Sequence, residues 1–168
     1  MLFLLVAGPV AGQGLDSTRM RYRDALVAVR DALSPIDAGV QTVRRDLGTA
    51  ADVTIQSKVG RLRAACLAAQ IALAGQRPVF EAVRGSTRQT EAARLLVTAM
   101  RALDRQLNIH CLEGLTVRDL GIVADSVRAW MPFRSARLRE AEQAYYEAAA
   151  GFARTVDVRI PPVSPGGQ

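Results

Sequence analysis

Apolar side chains recur at Tyr22, Leu26, Val29, Leu33, Ile36, Val40, Val43 and Leu47, with spacings of four and three in strict alternation. That period, close to 3.5, predicts one helix over about 17–47 that buries a single stripe. Pro35 falls inside it without disturbing the phase, so a kink is expected there. Thr49 and Asp52 resemble a capping box and predict the start of a second helix. Its stripe is Ile55, Val59, Leu62, Cys66, Ala69 and Leu73, and Phe80 and Val83 stay in phase beyond Gly75 and Pro78. Ser86, with Gln89 three residues on, caps a third helix carrying Ala93, Leu96, Met100, Leu103, Leu107 and His110. A fourth is expected after Thr116–Asp119, with Leu120, Ala124, Val127, Met131, Leu138, Ala141, Tyr145, Ala148 and Phe152 on one side and a kink or break at Pro132. Four stripes joined by short turns, with no alternating strand pattern, predict an all-α, up-down-up-down four-helix bundle with proline-kinked long helices. An irregular array of six shorter helices is the competing arrangement.

Composition supports close helix packing. The chain of 168 residues holds 28 alanines, against one Trp, three Tyr and four Phe. The domain is expected over 15–158, followed by a Pro/Gly-rich flexible tail at 159–168. Residues 2–7, Leu-Phe-Leu-Leu-Val-Ala, precede a small-residue stretch ending at Gly14. Residues 1–14 therefore read as signal-peptide-like, with cleavage before Gln13, although the usual basic start is missing. A truncated anchor or a plain apolar segment are the alternatives, and the run is too short to span a bilayer. Export to a periplasmic or extracellular space is the expected location, with the cytoplasm as the alternative. Membrane contact is expected only through residues 1–14 if they are retained.

Much catalytic chemistry has no residues to work with. His110 is the only histidine, which excludes His-Glu-x-x-His zinc sites and the paired Glu-x-x-His motifs of di-iron bundles. No Gly-rich phosphate loop and no Gly-x-Ser-x-Gly elbow occurs. His110 itself reads as a helix C-terminal histidine favoured by the dipole, and its neighbour Cys111 points elsewhere on the helix. Glu140, Glu142 and Glu147 lie among Arg137, Arg139 and Arg154 and predict a solvated, salt-bridged face. For the cysteines, a bundle with helix ends level places Cys66 about 24 Å below the top, at 1.5 Å per residue. Cys111 would stand at the top, so the two are not expected to meet.

The stretch Leu62–Gln70 resembles part of the second helix of soluble b-type cytochromes with a four-helix architecture. That family holds haem between a methionine early in helix one and a histidine late in helix four. Met20 matches the first position, but Tyr145 and Tyr146 stand where the histidine would be. The haem pair is absent, and no cofactor or metal is expected.

Two clusters remain as candidate sites. Trp130, Met131 and Phe133 around Pro132 would fill the space a kink opens, or form a ligand or partner patch. Lys58, Arg61 and Arg63 form a slightly denser basic group in a chain of net charge +6, a possible polyanion contact. The charge is otherwise spread out, so no specific nucleic acid is expected. The expected function is that of a non-enzymatic exported bundle, an interaction or structural module of the cell envelope. Its partner would be an unknown protein or a second copy of the chain. A small-molecule or lipid carrier with a core cavity near Pro78 or Pro132 is the alternative, and weak polyanion binding a further one.

Overall fold

The computed structural model describes residues 11–113 and 123–162. Within them the chain forms α1 (Ala11–Asp46), α2 (Asp52–Glu81), α3 (Thr87–Leu107) and α4 (Val123–Thr155), with one π-helical segment, Asn108–Leu112, closing α3. The helices pack as an all-α four-helix bundle. Arg19 near the start of α1 approaches Asp157 just after α4 at 3.8 Å. At the other end Arg128 of α4 donates to the Leu47 carbonyl after α1 at 2.6 Å. α1 and α4 therefore run antiparallel; α1 and α2 do too, with Asp46 beside Lys58 and Gly39 beside Leu62, and the six-helix alternative does not arise among the described residues.

The apolar stripes are the core. From Leu26 to Leu47 every α1 stripe position is buried, and the phase runs through Pro35, which lies inside the helix. All eight α2 stripe residues, Ile55 through Val83, are buried as well. α1 and α2 meet closely at Gly39, where a Cβ would stand 3.1 Å from Leu62 Cδ1. One end is plugged by aromatic edges: Tyr22 and Phe80 both meet the ring of Phe152, at 5.3 and 5.4 Å between centroids. In α4 the core positions are Val127, Met131, Leu138, Tyr145, Ala149, Phe152 and Ala153. Ser135 is buried between them and donates to the Pro132 carbonyl at 3.2 Å, which satisfies its hydroxyl inside the core.

The helix starts show which capping signals were real. Ser86 accepts from the Gln89 amide at 3.3 Å while the Gln89 side chain accepts from the Ser86 amide at 3.1 Å, the reciprocal pair of a capping box. Replacing Ser86 with Ala should cost about 1 kcal/mol in urea unfolding; no measurable change would show the cap to be redundant. Thr49 does not cap α2. Ala50 N–H instead donates back to the Asp46 carbonyl at 2.9 Å, and Ala51, extended and with no capping side chain, precedes the helix. The expected start at Thr116–Asp119 lies outside the described residues, as do residues 1–10 and 163–168. Ala11–Gly14 form the first turn of α1. After α4 the chain keeps to the bundle: Val156 is buried, Ile160 is packed against the core, and Arg30 donates to the Pro161 carbonyl.

Cys66 and Cys111 are joined by a disulfide, with Cα atoms 6.4 Å apart. This overturns the separation expected for helices with level ends. The α2–α3 hairpin is staggered: Glu81, the last residue of α2, pairs at 2.9 Å with Arg101, well inside α3. Gln70, about midway along α2, reaches the Asp104 carbonyl at 3.1 Å. α3 thus begins beyond the end of α2 and finishes level with the middle of it. The π turn, in which Glu113 N–H donates to the Asn108 carbonyl at 2.8 Å, closes the helix there. Its wider turn places Cys111, four residues after Leu107, on the core side and leaves His110 only partly buried.

Candidate functional site

Two members of the candidate apolar cluster, Met131 and Phe133, do not share a surface. Met131 is buried in the core and Phe133 is 61% exposed, so neighbouring members point opposite ways. The side chain of Trp130 lies outside the described residues. Phe133 stands edge-on to the His110 ring at 6.1 Å, with the Arg137 guanidinium 5.4 Å over its face. Burial first, then the charges of Arg134 and Arg137, hold His110 below the ordinary histidine range. These costs to the imidazolium outweigh the dipole preference expected for a C-terminal histidine. Pro78 and Pro132 are both exposed, and the pockets bordered by Tyr22 and Val156, by Met20 and Val79, and by Val53 and Lys58 open to the surface.

The basic trio is also divided. Lys58 pairs with Asp46 and, together with Arg61, borders a shallow groove with Val53, Thr54 and Ser57. Arg63, five residues after Lys58, is turned by roughly 140° around the helix and is half-buried. Among the three carboxylates, Glu140 pairs with Arg137 and Glu147 accepts from Gln143, each at 2.9 Å, as a solvated face requires. Glu142 departs from that expectation. Four residues after Leu138 and three before Tyr145, both buried, it sits at the α1–α4 boundary with Oε1 buried and unpartnered. Burial and the nearby charge of Asp37 raise its pKa to about 7, against the opposing pull of Arg139. Tyr146, one turn on, is pushed up by burial and by Glu142. Among the described residues no group of three or more His, Cys, Asp or Glu side chains could hold a metal.

The feature that stripe-reading missed is the back of α2. From residue 64 to residue 78 every exposed position is apolar: Ala64, Leu67, Ala68, Ile71, Ala74, Gly75 and Pro78. Leu67 is 50% and Ile71 65% exposed, and Arg61 borders the upper end. A helix apolar on all sides belongs inside a larger structure, yet this face is open. Gly60 and Gly75 lie on it too. Neither has a positive φ, and a Cβ on either would meet nothing within 4 Å. Nothing inside the chain requires glycine there, although each costs the helix about 1 kcal/mol relative to alanine. The signal was available in the sequence as the absence of charge from residue 64 to residue 76, an unusual stretch for an outer helix.

The Cys66–Cys111 bridge lies directly behind this face and fixes the middle of α2 to the end of α3. The face is accordingly carried on a cross-linked element, which limits how far it can rearrange on contact. No protein-family model, curated protein or solved structure matches the chain.

Proposed function

We propose that the protein is a non-enzymatic, exported interaction or structural module of the cell envelope. The observation that supports this best is the uncharged outer face of α2, held on a disulfide-braced helix where solvent would ordinarily select polar side chains. The disulfide favours an oxidising compartment, since such bridges persist mainly in secreted and periplasmic proteins. The signal-like character of residues 1–14 points the same way. No described helix is long and apolar enough to cross a membrane, so association would run through the folded surface.

Native mass spectrometry of the protein, recovered from each cell fraction after expression with its natural upstream region, tests the reading. The expected result is an oxidised chain in the exported fraction, with no small molecule lost on denaturation. A reduced chain confined to the cytoplasm would remove export. A stoichiometric small-molecule mass would replace the module with the carrier.

A further inference from the structure

We infer that the seam between α1 and α4 is a pH-gated opening: ionisation of Glu142 against Asp37 parts the two helices, while the Cys66–Cys111 bridge holds the opposite side of the bundle together as a spine.

Helix packing singles out that seam. α1 rests mainly on α2 and α4 mainly on α3, so the bundle is built from two hairpins. On one side the hairpins meet through α2 and α3, and there the disulfide ties the middle of α2 to the end of α3. On the other side α1 and α4 touch more sparingly. Contacts towards the ends hold them, Tyr22 against Phe152 at one and Arg128 on the Leu47 carbonyl at the other. Between these, Glu142 comes level with Asp37.

Both helices of the seam can bend. Pro35 lies within α1 and Pro132 within α4. Proline has no N–H to give, so the carbonyls of Asp31 and Arg128 go without their helical donors and each helix yields more easily there. Pro35 stands two residues before Asp37. Pro132 stands ten residues before Glu142, about 15 Å along α4. The middle of the seam can therefore part without either helix unwinding.

The charge that parts it is already in place. Glu142 Oε1 is buried and accepts no hydrogen bond. Protonated, the carboxyl is tolerated there; ionised, it is a carboxylate without a donor beside a second carboxylate. The charges acting on it come from α1 and α4 alone, Asp37 against ionisation and Arg139 in favour. Arg139 lies on the same helix and donates to the Ser135 carbonyl at 3.4 Å, so it does not tie α4 to α1. Arg30 and Asp31 of α1, beside Tyr146, pair with each other. The phenols of Tyr145 and Tyr146 are pushed up by burial first and stay neutral. Burial, then Asp37, raises the Glu142 pKa from 4.5 to about 7. A carboxyl raised in this way favours the closed seam below its exposed pKa, and that preference is lost as the pH climbs from 4.5 through about 7. The bundle then offers core side chains to a partner only on the alkaline side of neutrality, a regulation that goes beyond the module reading.

Hydrogen–deuterium exchange of the full, oxidised chain at pH 5.5 and pH 8, each rate divided by its intrinsic rate, reads the opening segment by segment. Amides around Asp37 and around Glu142 should open roughly five- to tenfold more often at pH 8, while those of α2 and α3 around the disulfide hold steady. Glu142→Gln should cancel the rise. Asp37→Asn, at an exposed position, should reduce it. His110, held below the ordinary histidine range by burial first, is common to the native and variant chains, so their difference isolates Glu142. A native chain whose corrected exchange is flat, or rises equally in all four helices, overturns the gate. So does a Glu142→Gln chain that keeps the native rise. Either failure leaves the module reading standing, because that is decided by cell fraction and bound mass.

Discussion

Replacing Cys66 and Cys111 together with alanine should lower the unfolding free energy by about 4 kcal/mol. The bridge closes a loop with a sequence separation of 45 residues. In the chain-entropy account, a loop of that length removes about 4 kcal/mol of freedom from the unfolded ensemble. Stability of a domain this size is about 5–15 kcal/mol, so the variant should remain folded but melt well below the native chain. Both cysteines are buried, and alanine leaves small voids that add to the loss rather than offset it. Urea unfolding of the oxidised protein and the double variant measures the difference through the shift in midpoint. Reduction of the native protein should reproduce most of the effect without altering any core volume. A loss below about 1 kcal/mol in both experiments would mean that the unfolded chain is already held compact around residues 66–111.

The disulfide also marks where sequence reasoning stopped working. The apolar stripes of α1, α2 and α3 identified nearly all their buried positions, because period and burial are one physical fact on a helix with a single wet side. Register between helices is a different matter. Spacing says which side of Cys66 faces inwards but nothing about how far α3 slides along α2. That slide depends on the path of residues 82–86 and on contacts such as Glu81–Arg101. Assuming level ends put the cysteines far apart, whereas the stagger brings them together. His110 failed for a related local reason: the π turn adds a residue to the spacing and hands the inward position to Cys111.

The candidate surfaces were legible to a lesser degree. Met131 and Phe133 are neighbours only in sequence, because nearby helical positions diverge in space, one into the core and the other into solvent. Lys58 and Arg63 separate on the same ground. The face of α2 was hidden by the opposite habit. A search for apolar stripes assigns each helix one buried side, and α2 carries a second apolar side behind the first. Only the exposure of Leu67 and Ile71 in the folded chain distinguishes core from open surface there. Gly75 reads in sequence as an interruption of the helix; in the structure it and Gly60 are open places on the helix surface.

Glu142→Gln should stabilise the protein at pH 8 by about 2 kcal/mol and have little effect near pH 4. The native carboxyl has its pKa raised from 4.5 to about 7, chiefly by burial and then by Asp37 on α1, with Arg139 on its own helix acting in the other direction. A carboxyl that holds its proton more tightly when folded contributes its full stability below the unfolded pKa. That contribution is lost as the pH rises from 4.5 through about 7, when the folded protein must accept a charge beside Asp37. At about 1.4 kcal/mol per pH unit, the interval sets an upper limit of about 3.5 kcal/mol. Solvent reaching the partly exposed side chain reduces it to about 2 kcal/mol. Glutamine has nearly the same shape and cannot ionise, so it behaves as the protonated acid at every pH. Tyr146 beside it has its own pKa pushed further up by burial and by Glu142, so its phenol stays protonated over this range. Native and variant stabilities, measured by urea unfolding at intervals from pH 4 to pH 8, should therefore coincide at the acid end and diverge through neutrality. Curves that stay parallel would show that the Glu142 carboxylate finds solvent or a cation in solution, and would remove it as the source of any loosening between α1 and α4 at alkaline pH.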